Sequence, residues 1–126
     1  MDDILTFDRF TELKGTEVQS ADGAKVGSVN ALFCDNQTKE PEWIGLGTGF
    51  LGLKEAVVPV EGARVDGKRI VVPYDKDVIK HEPSFDEEGG ILTPESEHRL
   101  CVYFSLTGHR PAPRQLTRYD FMRTNP

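Results

Sequence analysis

The side chains of this sequence best suited to acid–base or metal chemistry are three histidines, His81, His98 and His109, and the acidic run at residues 86–88. No second histidine stands four residues after His81, so the zinc-protease pattern His-Glu-x-x-His is absent. The acidic run, Asp-Glu-Glu, lacks the ligand spacing of an EF-hand calcium loop. A metal site built from His81, His98 and this run requires the groups to converge within ~2–2.3 Å of one point. We expect solvated side chains here and no bound metal.

A glycine-rich stretch, GTGFLG at residues 47–52, matches the G-x-G-x-x-G pattern of dinucleotide-binding proteins. That pattern binds pyrophosphate only where a helix follows, because the phosphate lies on the amino terminus of the helix. Here LKEAVVPVEG follows, and its adjacent valines and proline indicate a strand. None of the serines stands in a nucleophile motif. The sequence therefore predicts a hairpin loop at residues 47–52, no cofactor and no enzymatic activity.

The two cysteines, Cys34 and Cys101, lie far apart, and neither has the closely spaced partner of a zinc or redox motif. We expect both to be small buried apolar residues. A disulfide between them is the lesser alternative, because we expect a cytoplasmic protein.

Length and composition predict one soluble globular domain: the chain has 126 residues, of which 37% are hydrophobic and 29% charged. No apolar stretch approaches the ~20 residues that span a membrane. The amino terminus, MDDILTFDRF, is acidic and lacks the features of a secretion signal. These observations favour a cytoplasmic location.

Five runs between residues 16 and 74 read as strands, and two Asp-Gly pairs, Asp22-Gly23 and Asp66-Gly67, are hairpin signals. The runs are TEVQ, KVGSVNALFCD, EWIGLGT, EAVVPVE and KRIVVPY. Several short strands at this spacing predict a mainly β fold, either a barrel or a sandwich.

The long second run breaks its own alternation, because Val26 is out of phase with Val29, Ala31 and Phe33. We predict a β-bulge at residues 27–28, which bends the strand as the closure of a small barrel requires. Two prolines, at positions 59 and 73, lack the N–H of a central strand and should lie at edges, strand ends or bulges.

Two helices are predicted after the strands. Asp75 is a plausible N-cap for one or two turns that end before Pro83. Thr93 caps a second helix with Pro94 at its first position, and its apolar face should pack on the sheet or on a partner. Residues 107–126 contain three prolines and no sustained period, so we expect an irregular tail after a domain of residues 1–106.

The charge is divided unevenly. Residues 1–106 carry 11 basic and 20 acidic residues, whereas residues 107–126 carry four arginines and one aspartate. An acidic body disfavours nucleic acid, and only the basic tail is suited to an anionic partner.

Large apolar residues and the tail arginines are the candidate interaction residues, because such side chains often contact protein partners. They are Trp43, Phe50, Leu51, Leu100, Tyr103, Phe104, Arg110, Arg114, Arg118, Tyr119, Phe121 and Met122.

An ordered set of short elements resembles the PRC-barrel family over roughly residues 11–106. The elements are Leu13-x-Gly15-x-x-Val18, Asp22-Gly23, Gly27-x-Val29, Val58-Pro59-Val60 and Val72-Pro73-Tyr74. The resemblance implies a small, strongly bent β-barrel. Together with the two helices predicted above, we expect an antiparallel barrel, one short helix after its strands, and a C-terminal helix. The family includes the cytoplasmic part of one subunit of the photosynthetic reaction centre, the carboxy-terminal domain of the ribosome-maturation factor RimM, and stand-alone bacterial proteins.

The resemblance implies a docking surface without a shared catalytic site. We therefore expect a bacterial, non-enzymatic interaction or adaptor module of the stand-alone kind, which self-associates as a homodimer through β edges, the helix at residues 93–106 or the tail. A ribosome- or RNA-associated factor of the RimM kind is the alternative, supported by the tail arginines. A metal-binding protein or enzyme is a third and weaker one.

Overall fold

The computed structural model describes residues 6–48, 54–106 and 115–120, which form nine strands and three short helices. The strands are β1 (Glu17–Gln19), β2 (Lys25–Asp35), β3 (Pro41–Thr48), β4 (Lys54–Pro59), β5 (Arg64–Asp66), β6 (Arg69–Val71), β7 (Glu87–Glu88), β8 (Ile91–Leu92) and β9 (Leu116–Asp120). The helices are α1 (Phe7–Glu12), α2 (Lys76–Lys80) and α3 (Pro94–Tyr103). The prediction of a mainly β fold with short helices is confirmed.

All nine strands belong to one sheet, in the order β5-β6-β1-β2-β9-β8-β7, with β3 on the opposite edge of β2 and β4 beside β3. Among the described strands, β4, β5 and β7 each have one neighbour, so the sheet is not closed, whereas we predicted a closed barrel. One pair also departs from the antiparallel pattern, because β1 and β6 run parallel, with Val18 opposite Ile70. The β5–β6 hairpin gives β6 this direction.

Strand β2 contains the predicted irregularity, but at neighbouring positions. Val18 faces Gly27 and Gln19 faces Lys25, which leaves Val26 as the extra residue against β1. A second irregularity lies against β3, between Val29 and Ala31. The broken alternation indicates an extra residue without saying which one it is. Position 27 needs a glycine because β3 lies too close for a side chain: a Cβ there would lie 2.7 Å from the carbonyl oxygen of Gly47.

The sheet separates two apolar clusters, because successive side chains of a strand point to opposite faces. The inner core consists of Phe10, Leu13, Val18, Val29, Leu32, Cys34, Ile44, Leu46, Val58, Ile70, Val72 and Ile79. The outer core consists of Phe33, Trp43, Val57, Leu92, Leu100, Cys101, Phe104 and Leu116. Neighbouring residues of β2 divide between them: Leu32 and Cys34 belong to the inner core, and Phe33 belongs to the outer one.

The three helices close the two cores. Helix α1, which the sequence analysis did not predict, is capped by Thr6 and contributes Phe10 to the inner core. Helix α2 follows Asp75 as expected and buries Ile79. Helix α3 begins where predicted, since the Thr93 hydroxyl accepts a hydrogen bond from the Ser96 N–H (3.2 Å), and its apolar face covers the outer core.

Part of the predicted irregular tail is regular. Residues 116–120 form β9, which pairs antiparallel with β2 and with β8. Local sequence did not reveal this strand, because its order comes from backbone pairing with residues far away in the chain. The remaining tail residues, 107–114 and 121–126, lie outside the described residues.

Candidate interaction site

The C-terminal strand β9 fills a gap in the sheet between β2 and β8. On β2, residues 31–35 face β9 in an unbroken register, with Phe33 opposite Arg118. On the other side, the Arg118 N–H donates to the carbonyl oxygen of Gly90 (2.7 Å), just before β8. We call this gap the strand slot. It consists of the edge of β2 at residues 31–35, strand β8, and the carboxylates of Glu55 on β4 and Glu87 on β7. The slot holds an extended segment by main-chain pairing, which is how proteins recognise a peptide by strand addition.

Apolar anchoring of β9 depends on Leu116. This side chain is 1% exposed and belongs to the outer core, whereas Thr117 and Tyr119 on the opposite face are exposed. Tyr119 is 48% exposed and its ring makes an edge contact with Phe7 of α1, with ring centroids 4.7 Å apart. The other side-chain contacts described for β9 are polar.

Arg118 provides those polar interactions. Its guanidinium makes a two-pronged contact with the Glu55 carboxylate of β4, the Nη1–Oε1 distance being 2.7 Å. The same Nη1 lies 2.9 Å from Oε2 of Glu87 on β7, and Nε lies 3.7 Å from Oδ2 of Asp120. The guanidinium also lies over the Phe33 ring, 5.7 Å from its centroid. Hydrogen bonding to Glu55 is the main reason that the pKa of Arg118 is raised above its usual value.

Two small residues make the contact between β9 and β4 possible. Strands β2 and β3 lie between them, and neighbouring strands are about 4.8 Å apart, so the two side chains together bridge about 14 Å. Ala31 and Gly45 face each other on those two strands. A Cβ on Gly45 would lie 3.1 Å from the Ala31 Cβ and 3.5 Å from Oε2 of Glu55. The missing side chain therefore leaves the trough in which the Glu55–Arg118 pair lies.

The acidic run is engaged within the chain. Glu87 binds Arg118, and the Asp86 N–H donates to the Ser96 hydroxyl of α3 (2.8 Å). Arg99 of α3 donates to the carbonyl oxygen of Ser84 (3.3 Å) in the same loop. In the described parts of the chain, no three His, Cys, Asp or Glu side chains are grouped so as to hold a metal ion.

Neither histidine in the described ranges approaches that run as a ligand. His81 Nδ1 lies 2.9 Å from the Asp77 carbonyl oxygen of α2, and His98 is exposed on α3.

The two cysteines lie in different cores and are not bonded to each other. Cys34 belongs to the inner core and Cys101 to the outer core, so the sheet separates them. Burial raises the pKa of the Cys34 thiol to about 11, which makes it a poor nucleophile at neutral pH.

The structure gives a packing role to three of the candidate interaction residues. Trp43, Leu100 and Phe104 are buried among outer-core side chains. Their aromatic and aliphatic surface covers the sheet of their own chain, and a docking role for them stays a prediction. Tyr103 is partly buried, and its hydroxyl donates to the Val78 carbonyl oxygen of α2 (2.6 Å).

The remaining candidates divide between the slot and regions outside the described residues. Arg118 and Tyr119 both lie on β9, and Arg118 binds its own domain. Six candidates lie outside the described residues: Phe50, Leu51, Arg110, Arg114, Phe121 and Met122. The sequence analysis missed Glu55, Gly45 and Ala31, because strands carrying isolated charged or small residues are common and only their pairing shows that these three meet.

No helix in the described ranges has the length and apolar character needed to cross a membrane. No curated protein matches the sequence. The family model of the PRC-barrel domain matches residues 5–79, which span α1 through most of α2 and include strands β1 to β6. Helix α3 and strands β7 to β9 follow the matched region, so Glu55 lies inside it and Arg118 lies beyond it. Since more than half of the sequence matches, and the described strands form a bent sheet with short helices, the chain belongs to the PRC-barrel domain family.

Proposed function

We propose that this protein is a non-catalytic interaction module that binds an extended polypeptide segment by adding it as a strand in the slot between β2 and β8. PRC-barrel domains generally serve protein interaction rather than catalysis. The observation that carries the proposal is the way β9 is held: main-chain pairing on both sides, one apolar anchor and one arginine bound by two carboxylates from other strands. The main-chain pairing fixes an extended conformation, and the charged contacts select the sequence and register.

Recognition in the slot depends on the arginine. Glu55 and Glu87 both lie within hydrogen-bond distance of Arg118, and each side chain in the group is at most a quarter exposed. An arginine contributes two parallel hydrogen bonds to a carboxylate, which a lysine or a neutral residue does not reproduce. The partner class is therefore an extended segment with a leucine-like residue two positions before an arginine.

We also propose that the protein acts as an adaptor in the cytoplasm of a bacterium. The RNA-binding alternative gains no support from Arg118, because that side chain is 20% exposed and its charge is already matched by carboxylates. A phosphate backbone would have to displace those contacts.

A peptide titration tests the proposal on the full chain. The variant Arg118→Glu places like charges beside Glu55 and Glu87, which should release its own strand from the slot. We expect a peptide with the sequence of residues 115–120, QLTRYD, to bind this variant saturably and to shift the backbone amide resonances of residues 31–35 and 91–92.

The matched control is the peptide QLTEYD, in which glutamate replaces the arginine. Reversal of the charge facing two carboxylates should weaken binding by about ten-fold or more, which corresponds to ~1.4 kcal/mol. Circular dichroism first checks that R118E retains its fold. Equal binding of the two peptides, or binding of neither by a folded variant, would contradict the proposal.

A further inference from the structure

We infer that the strand slot also accepts residues 115–120 of a second copy, so that two chains exchange their C-terminal strands and form a reciprocal dimer. The inference rests on the proposed strand-binding function and names the partner. Its basis is that the segment seen in the slot is the last described element of the chain and is held by contacts that any copy supplies equally.

Strand β9 has little apolar surface to keep it in place. Of the six described residues from 115 to 120, Leu116 is the one buried side chain. Elements with few buried apolar contacts open at a lower free energy than the body of a domain. Release of β9 therefore costs less than unfolding of the whole domain, because it removes one buried side chain, Leu116, from the outer core and leaves the other core residues in place.

The contacts that hold β9 are specific in charge. The slot presents two carboxylates, Glu55 and Glu87, from strands in the acidic part of the chain, and the tail carries a net positive charge. An empty slot leaves these carboxylates without the arginine, and a released strand leaves the arginine without its acids. A second copy provides the matching group for each, so exchange restores both sets of contacts.

The exchanged dimer contains nearly the same contacts as two monomers. The protein concentration therefore decides which form is populated. In a strand-exchanged dimer each slot holds the same sequence in the same register as in the monomer. The eight residues between Leu106 and Gln115 span at most about 29 Å when fully extended, so the slot of one copy must lie within that reach of Leu106 in the other copy. The monomer predominates when dilute, and the dimer grows as concentration rises.

A cysteine pair across the slot distinguishes the two states. Cys34 on β2 lies directly opposite Thr117 on β9, and directly opposed residues of antiparallel strands have Cα atoms about 4.5–5.5 Å apart. That separation falls within the range of a disulfide. The variant Thr117→Cys therefore links whichever strand occupies the slot to the body that holds it, after mild oxidation of the full chain.

The measurement uses equal amounts of unlabelled and ¹⁵N-labelled T117C, incubated together at high concentration, oxidised and digested. Mass spectrometry then identifies the linked peptides that contain Cys34 and the cysteine introduced at position 117. We expect linked peptides with one light and one heavy partner, in a fraction that rises with the protein concentration during incubation. The double variant T117C/C34S measures the background from contacts between the introduced thiols of different chains.

Each outcome decides the inference. Linked peptides in which both partners always carry the same label show that the strand stays on its own chain, and the inference fails. If QLTRYD binds R118E in the titration above while no mixed links form, the slot binds strands but not those of a second copy. In that case the proposed function stands and the exchange does not.

A second pair of variants decides the question if no link forms between Cys34 and the introduced cysteine. R118E and E55R each place like charges in the slot when alone. In a mixed dimer, the Arg118 of the E55R copy meets Glu55 and Glu87 in one slot, and in the other slot the introduced glutamate meets the introduced arginine beside Glu87. We expect a one-to-one complex by native mass spectrometry in that mixture and not in a mixture of E55R with R64E, where the arginine replaced is exposed on β5. Absence of the complex, or equal amounts in both mixtures, overturns the inference.

Discussion

Glu82 accepts a hydrogen bond from the open edge of the sheet at β4. The Val57 N–H points away from β3 and donates to Oε1 of Glu82 (2.8 Å), and Pro59 two residues later has no N–H to offer. Oε2 is buried, and no group in the described ranges gives it a hydrogen bond. Burial raises the pKa of Glu82 to about 8 from an ordinary value of 4.5. An exposed strand edge invites uncontrolled pairing, and here a side chain and a proline block it.

The raised pKa predicts a pH-dependent stability. The folded protein holds the Glu82 proton more tightly than the unfolded chain does, so this contribution is complete below pH 4.5 and is lost as the pH rises through 8. We expect the free energy of unfolding to fall by about 4 kcal/mol between pH 5 and 9 relative to Glu82→Gln, which stays neutral.

Urea unfolding at several pH values measures this difference. Glu61→Gln, which changes an exposed carboxyl, is the control and should keep the pH slope of the original protein. Parallel slopes for E82Q and the original protein would show that Glu82 is ionised at neutral pH in the folded state.

At the scale of elements, helix α3 is attached to the sheet through the ring of Phe104. Its centroid lies 4.8 Å from that of Tyr74, 5.1 Å from that of Tyr103 and 6.0 Å from that of Trp43. Tyr74 also packs against the inner core, so these rings connect the helix with both sides of the sheet. The apolar face that the sequence assigns to this helix is thus used within the chain.

Removal of the Phe104 ring should loosen the helix. Phe104→Ala is expected to lower the free energy of unfolding by about 3–4 kcal/mol, because a large buried side chain leaves a cavity. Val102→Ala on the same helix is the matched control: this side chain is 65% exposed, and the expected change is within about 0.5 kcal/mol. Denaturant unfolding monitored by circular dichroism measures both, and comparable losses would mean that α3 contributes little through its buried face.

The whole molecule consists of two cores that share one bent sheet, and each core contains one cysteine. Cys34 lies in the inner core and Cys101 in the outer core, and both are buried. Because β2 and β3 contribute side chains to both cores, the loss of either core should disrupt the sheet that supports the other. The two cores should therefore unfold together.

Thiol labelling tests that cooperativity. We expect both cysteines to be protected from a thiol reagent at neutral pH in the native protein and to become reactive together at the urea concentration at which circular dichroism reports unfolding. Mass spectrometry assigns the label to Cys34 or Cys101. Labelling of Cys101 at a lower urea concentration than Cys34 would show that α3 detaches from the sheet as a separate unit.

The predictions that agree with the structure depend on neighbouring residues. The Asp-Gly turns, the cap at Thr93, the N-terminal Pro94 and the proline at the end of β4 act within a few positions of themselves, so a single sequence shows them. The predicted position of the bulge was wrong. Alternation shows that one residue of the strand is extra, but it does not show which residue lacks a partner on the neighbouring strand. Strand β9 was missed because QLTRYD has no strong β pattern of its own.

What the sequence determined by itself is the mainly β class, the approximate positions of the strands and helices, and a resemblance to PRC-barrel proteins from an ordered set of turn and strand residues. The tertiary structure decided which side chains meet. Arg118 finds Glu55 at a separation of 63 residues and Glu87 at a separation of 31. Such contacts depend on strand order, register and the small residues between the strands. These are properties of the assembled sheet, and local sequence preferences carry no information about them.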